Sequence, residues 1–451
     1  MPVSRLIVIG GDAAGMSAAS QARRLDSRME IRVFERSPHT SYSACGLPYF
    51  AAGMVEEANS LVARTPERFR QQYDIEAMVG HEVLAIDPQA RRVRVRVPET
   101  GKEFEEGFDT LLIATGARPH WPEIPGCEGK GIYALSTLQS GIELRRALDE
   151  RPPRNAVIVG GGYIGLEMAE ALLARGIPTS LVQRGVQPMN TLDPDMGALV
   201  ARELKRRGVN LYLEEPAVAF ELEGGRVCAV RTSLRRLPAD LVVLGLGVIP
   251  ESALAKEAGI ELGVKGAIRV DEGMRTNLPG IFAAGDCVSS LHRVSGQEVH
   301  VALGTLANRQ GMVAGQNIAG QKARFPGTLG TAITKVCELE IARTGLQERE
   351  LEALGIDYAA VTIKSRTRSG YYPGVSDIHV KLLGEKGSGR LLGGQILGGA
   401  GAGKRIDTLA ACLWAKLAVE ELVQMDLSYA PPFSPVWDPV ATAARALVKK
   451  L

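Results

Sequence analysis

The sequence predicts an α/β protein with two parallel-sheet units and a C-terminal α+β unit, and three observations predict it. A glycine-rich turn joins an apolar strand to a helix near the N-terminus, a second such turn follows about 150 residues later, and the chain beyond residue 330 is a cluster of candidate strands ending in a helix. Strands alternating with helices build parallel sheets, whereas a strand cluster closed by a helix builds an α+β unit. The expected boundaries are 1–118, 119–246, 247–325 and 330–451. A chain of 451 residues is too long for one core and agrees with about three domains.

The first turn, Gly10-Gly11-Asp12-Ala13-Ala14-Gly15, lies between the apolar run Leu6–Ile9 and a helix expected over Met16–Leu25. Gly10 permits the tight turn, Gly15 lets the helix approach the sheet, and the helix N-terminus offers free N–H groups to a pyrophosphate. Asp12 stands where the usual G-x-G-x-x-G has its middle glycine. Glu35 ends the next strand, Ile31–Phe34, 25 residues after Gly10, where an acid can bind a ribose 2′-hydroxyl. These are the marks of a Rossmann-like dinucleotide-binding domain.

The second turn, Gly160-Gly161-Gly162-Tyr163-Ile164-Gly165, satisfies the fingerprint in full between Ala156–Val159 and a helix expected over Leu166–Arg175. Its strand-end residues are Gln183 and Arg184. An acid there would repel a 2′-phosphate and select NADH. A neutral Gln beside Arg leaves NADH and NADPH both open, with a slight lean to NADH because no arginine cluster follows.

The third unit contains Gly280 through Asp286. In the last, strands are expected over Ala332–Ala342, Tyr358–Ser365, Ile378–Leu383 and Leu391–Leu397, with a hairpin loop at Gly384–Gly389. One long helix is expected from about Lys404 to Gln424, where Ile406, Leu409, Ala410, Leu413 and Leu417 form an apolar face.

Composition excludes more than it selects. A net charge of +2 with 23% charged residues supports neither a nucleic-acid nor a membrane partner. The chain runs directly into a short strand, so neither a signal peptide nor a membrane span is expected. Six scattered cysteines without a C-x-x-C point to reduced thiols in a cytoplasm and to no metal site.

One cysteine stands apart. Cys45 lies in Ser41-Tyr42-Ser43-Ala44-Cys45-Gly46-Leu47-Pro48-Tyr49, soon after the first strand pair. Together with both glycine turns, Ala114-Thr115-Gly116, Gly245-Leu246-Gly247, Pro250, Thr276, Ile281–Asp286 and Tyr429–Pro435, this stretch resembles the pyridine nucleotide–disulfide oxidoreductases. The nearest branch is the single-cysteine one that includes coenzyme A disulfide reductases and NADH oxidases. The resemblance implies that the first turn binds FAD with Arg36, Ser43, Val83 and Thr115, that Asp286 holds its ribityl chain, and that Ala302 and Thr305 complete the site. It also implies that Tyr163 covers the flavin where the nicotinamide enters, with Glu167 on the same helix, and that the last unit mediates dimerisation.

A two-cysteine member would need a second thiol at the position of Phe50, so Cys45 must pair with an external sulfur or oxygen. Peroxide-reducing members carry a histidine where this chain has Ala13, which favours a mixed disulfide with a small thiol. Coenzyme A bears phosphates and needs cations, which Arg23 and Arg24 supply on the first helix. By resemblance Ser17, Gln21, Arg24 and Ser41 contact coenzyme A, with Asn308 and Trp437 as further contacts. Tyr371, or its neighbour Tyr372, and Tyr429 would come from a partner subunit, making the enzyme a homodimer. The expected reaction is NAD(P)H-dependent reduction of coenzyme A disulfide. The rivals are an oxidase passing electrons to oxygen or quinones, a persulfide or polysulfide reductase (which often carries an added sulfur-carrier domain), an electron-transfer reductase for an iron–sulfur partner, and a redox-sensing flavoprotein.

Overall fold

The computed structural model describes residues 4–451. Two parallel five-stranded sheets share one plan. In the first, Arg5–Ile9 lies between Glu30–Glu35 and Thr110–Ile113, with Glu76–Val79 and Ile281–Ala283 at the edges. In the second, Ala156–Val159 lies between Thr179–Gln183 and Leu241–Leu244, with Asn210–Leu213 and Ile132–Tyr133 outside. The registers match: Ile9 pairs with Phe34 and Ile113, and Val159 with Val182 and Leu244. Each sheet therefore places its glycine turn at the C-terminal end of its central strand, where ligands of open α/β sheets bind.

The repeat runs further than the turns. Each parallel sheet is accompanied by a three-stranded antiparallel sheet, 82–107 in the first half and 217–238 in the second. Strand Ile281–Ala283, far along the chain, returns to pair with Thr110–Ile113. Leu6–Ile9 of the first central strand and all of the second are apolar and buried, as strands covered on both faces must be.

Helix Ala13–Leu25 packs along helix Gly304–Ile318. A Cβ at Gly311 would lie 2.3 Å from the Ala14 carbonyl oxygen, and one at Gly315 2.4 Å from that of Ala18. Only glycine admits this approach, which brings the two helices' exposed edges together.

The last unit is an antiparallel five-stranded sheet with Leu391–Gly398 at its centre, covered by helices Ile406–Ala415, Val419–Gln424 and Pro439–Val448. Three readings of this region are corrected. The strand expected over Ala332–Ala342 is a hairpin, Ala332–Val336 paired with Leu339–Gly345, that turns at Cys337 with φ 54°. The long helix expected to Gln424 breaks at Lys416, which is left-handed at φ 59°. The cause is competition for the backbone: the Leu417 carbonyl accepts the Leu391 N–H and Val419 N–H donates to Gly389, so the neighbouring hairpin claims groups a continuous helix would need. The sequence reading also missed helix Pro439–Val448, which Asp438 caps through a 2.8 Å bond from Val440 N–H with Pro at the first position.

Candidate functional site

Both glycine turns are locked in the same way. The Gly11 N–H donates to Glu35 Oε2 at 2.7 Å, and the Gly161 N–H donates to Gln183 Oε1 at 2.9 Å. At the first turn, Gly10 has φ 107° and a Cβ there would meet the Ala114 oxygen at 2.2 Å. Ala114-Thr115-Gly116 therefore forms the opposite wall, with Thr115 Oγ1 donating to the Glu251 carbonyl.

Asp12 gains a role that its departure from the fingerprint conceals. Its Oδ1 accepts the Tyr42 N–H at 3.1 Å, and Ser41, at φ 48°, donates its N–H to the Gly11 carbonyl. The turn thereby fastens the segment that carries Cys45. Burial, reinforced by the carboxylates of Glu35 and Asp286, pushes the Asp12 carboxyl up to about 7.

The Asp286 carboxyl is likewise pushed up by burial, and makes no hydrogen bond among the described residues. A sterically required glycine cradle and an unpartnered, half-buried carboxyl near it fit a flavin dinucleotide with a polyol chain. Ser43 and Arg36 are exposed beside this cradle, while Val83 is buried behind it in strand Glu82–Asp87. Ala13 and Ala14 open the helix.

Cys45 sits in the short turn Ala44–Gly46, and its thiol reaches the surface within a cavity of about 730 Å³. Thr305, Arg309, Thr331, Lys404 and Trp414 are among the walls. Surrounding protein, then the carboxylates of Glu167, Asp286 and Asp12, pushes the thiol above its ordinary range. Phe50 is buried under the guanidinium of Arg145, so this position serves packing. Of the cations in the cavity, Lys404 pairs with Asp407, whereas Arg309 has no ion pair among the described residues. The sequence reading missed Arg309, whose only signal was its place beside Asn308.

The first helix sorts its polar residues by face. Ser17, Gln21 and Arg24 follow helical spacing; Ser17 Oγ donates to Asn308 Oδ1 at 2.7 Å, and Arg24 contacts Gln21. Arg23 points elsewhere, donating to the carbonyls of Tyr73, Ser27 and Asp74 at 2.6–2.9 Å with a side chain 10% exposed. It is spent on structure and corrects the expectation that both arginines serve a ligand.

At the second turn a cavity of about 640 Å³ is lined by Gly160–Tyr163, Val182–Gly185, Met189–Thr191 and Gly245–Gly247, and none of its lining residues is acidic. Arg184 is its one arginine. Thr191 lies on the same wall, its hydroxyl beside the Tyr163 phenol with which it interacts. Ile164 and Gly165 continue into helix Tyr163–Ala174, on which Glu167 accepts a 2.9 Å bond from Thr334 and is pushed up by burial. Ala302 and Gly247 lie on a smaller neighbouring cavity with His300. A larger cavity, about 930 Å³, runs along helix Leu138–Glu150 and touches neither turn.

Tyr371 and Tyr429 do not line the Cys45 cavity of their own chain. They are exposed with Phe433, Val436 and Trp437 on the C-terminal unit, Tyr371 at 77%, whereas Tyr372 is half-buried. Arg405 joins the two loops by donating to the carbonyls of Thr367 and Phe433.

Comparison with known proteins follows the same lines. Residues 4–306 match the model of the pyridine nucleotide-disulphide oxidoreductases, and residues 331–440 that of their dimerisation domain. The chain is 39% identical to an NAD(P)H coenzyme A polysulfide/persulfide reductase of Pyrococcus horikoshii over 98% of both chains. It is 32% identical to a coenzyme A disulfide reductase of Staphylococcus haemolyticus, over 95% of this chain and 96% of the other. Among solved structures, reduced Bacillus anthracis CoADR-RHD superposes with a TM-score of 0.96 at 36% identity, over all of this chain and 81% of that one. Among the described residues no helix is long and apolar enough to cross a membrane.

Proposed function

The chain belongs to the pyridine nucleotide-disulphide oxidoreductase family, and from that premise we propose that it reduces coenzyme A disulfide with electrons from NAD(P)H through the single thiol Cys45. The observation that carries this reading is the placement of Cys45: an accessible thiol with no partner cysteine, on the segment fastened to the first glycine turn, in a cavity walled in part by Arg309.

Residues 1–118 and 247–325 form the flavin-binding domain around a nucleotide-binding domain at 119–246, with residues 330–451 as the dimerisation domain. The first turn and Asp286 would hold FAD, which would supply the two-electron relay from NAD(P)H to sulfur. The Cys45 thiolate attacks one sulfur of the substrate disulfide. That S–S bond breaks, one coenzyme A thiolate leaves, and a Cys45 mixed disulfide remains. Two electrons then split the mixed disulfide into the Cys45 thiolate and the second coenzyme A thiol. Each leaving thiolate takes up a proton, which Tyr371 and Tyr429 of the partner subunit would supply in a homodimer. Arg24 and Arg309 bind phosphates of the substrate, while Ser17, Gln21, Ser41, Asn308 and Trp437 line its path. Arg184, with no acid beside it, leaves the second turn open to NADPH as well as NADH.

Six free thiols suit a reducing cytoplasm. Persulfide reduction would call on the same thiol, and the Pyrococcus relative is matched over 98% of its own length; an added sulfur-carrier domain therefore does not separate the two activities. Replacing Cys45 with Ser tests the scheme. The variant is expected to lose coenzyme A disulfide reduction while its flavin is still reduced by NAD(P)H, and undiminished disulfide turnover would refute it.

A further inference from the structure

Strand Asp377–Glu385 carries Lys381 into the interior, where its side chain is 4% exposed. Three carboxylates converge on its ammonium: Asp193 at 3.3 Å, Asp195 at 2.7 Å and Glu348 at 2.9 Å. Asp193 and Asp195 open helix Pro194–Arg206 of the second parallel-sheet unit, whereas Lys381 and Glu348 belong to the C-terminal unit. The two units are joined here more tightly than one ion pair requires. Asp193, 2% exposed, accepts from the Glu348 N–H at 3.0 Å and from Gln395 Nε2 at 2.7 Å, and its own N–H donates to Gln395 Oε1 at 2.9 Å. Thr362 donates to Asp195 at 2.6 Å, and Gln347 Nε2 to the Asn190 carbonyl at 3.2 Å.

A buried ion cluster is a weak source of net stability, because desolvation offsets most of the attraction. What it does well is fix geometry. The geometry fixed here is the end of the stretch 184–192, most of which walls the second-turn cavity. The near end of that stretch is held by the turn itself. Met189, at φ 53°, donates its N–H to the Gly161 carbonyl at 2.7 Å, and Gln183 Nε2 approaches Asn190 Oδ1 at 3.5 Å. The far end hangs on Asp193. Asn190 and Thr191 stand at these anchors and on the cavity wall, with the Thr191 hydroxyl beside the Tyr163 phenol.

We propose that Lys381 and its three carboxylates are a positioning device by which the C-terminal unit holds Asn190 and Thr191 against the nicotinamide nucleotide, so that dinucleotide affinity is set from outside the dinucleotide-binding unit. This rests on the second turn being the NAD(P)H site. Loss of the anchor frees a wall of the cavity without touching Cys45 or the first turn, so its signature is selective.

The test uses the FAD-loaded enzyme and two variants. Lys381→Met removes the hub, and Thr362→Val removes one hydrogen bond at an exposed edge, which keeps the test valid if the first variant does not fold. Calorimetric titration with NAD+ and NADP+ reads affinity without turnover. Expected are Kd values raised about tenfold in Lys381→Met and about twofold to threefold in Thr362→Val. The KM for NAD(P)H should rise in step, with kcat and the KM for coenzyme A disulfide within about twofold of wild type. Unchanged nucleotide Kd in a folded variant overturns the proposal; so does a parallel rise of both KM values tracking a lower Tm. A wild-type enzyme that binds neither nucleotide would instead refute the assignment of the second turn.

Discussion

Gln183 Oε1 accepts the Gly161 N–H in the place where, at the first turn, a carboxylate of Glu35 accepts the Gly11 N–H. The two half-structures thus use one lock with two chemistries, and the amide removes a negative charge from the ribose end of the second cavity.

Cofactor choice follows from that exchange. Arg184→Ala should raise the KM for NADPH about tenfold and that for NADH less than twofold, since a charge-assisted phosphate contact contributes about 1.5–3 kcal/mol. Gln183→Glu should keep the lock and repel the 2′-phosphate, turning the enzyme towards NADH. Ratios of kcat/KM for the two cofactors decide both points.

Arg24 and Arg309 are exposed cations without acidic partners among the described residues. Arg309→Ala should raise the KM for coenzyme A disulfide about tenfold, and the double variant further, while a disulfide lacking phosphates, such as pantethine, is reduced as before. Equal losses on both substrates would show that the arginines do not read phosphate.

Asp12 couples the turn to pH. Its carboxyl is raised from 3.8 to about 7, so the folded protein holds the proton more tightly than the unfolded chain. Stability therefore falls as pH rises from about 4 to about 7, and the penalty is constant above that range. Asp12→Asn keeps an acceptor for Tyr42 and removes the titration. Urea midpoints of the variant should match wild type near pH 4 and exceed it at pH 8; parallel curves would contradict the assignment.

In the proposed homodimer, the exposed aromatic surface of Tyr371, Tyr429, Phe433 and Trp437 is the expected contact. Phe433→Asp should yield monomers by sedimentation velocity. Those monomers should still accept electrons from NAD(P)H but lose most disulfide reduction, because Tyr371 and Tyr429 no longer reach a Cys45. Full activity in a monomer would place the proton donors within one chain.

What local patterning decides could be read directly from the chain: apolar runs of strand length, glycines at a strand-to-helix turn, an acid or amide at the next strand end, and a thiol with Phe50 where a second cysteine would stand. Each depends on neighbours within one strand–helix–strand unit or less. What required tertiary structure was every choice between equivalent neighbours. Arg23 and Arg24 are adjacent and chemically identical, yet only the packing of residues 73–74 under Arg23 separates a structural side chain from a free one. Ser17 and Asn308 lie 291 residues apart and meet because glycines let two helices touch. The helix that periodicity carried past Lys416 stops there because a hairpin from elsewhere takes its backbone groups. Lys381 looked like any strand lysine until the fold surrounded it with three carboxylates. Spacing along a chain determines which face a side chain occupies. Only the packed neighbour determines what that face meets.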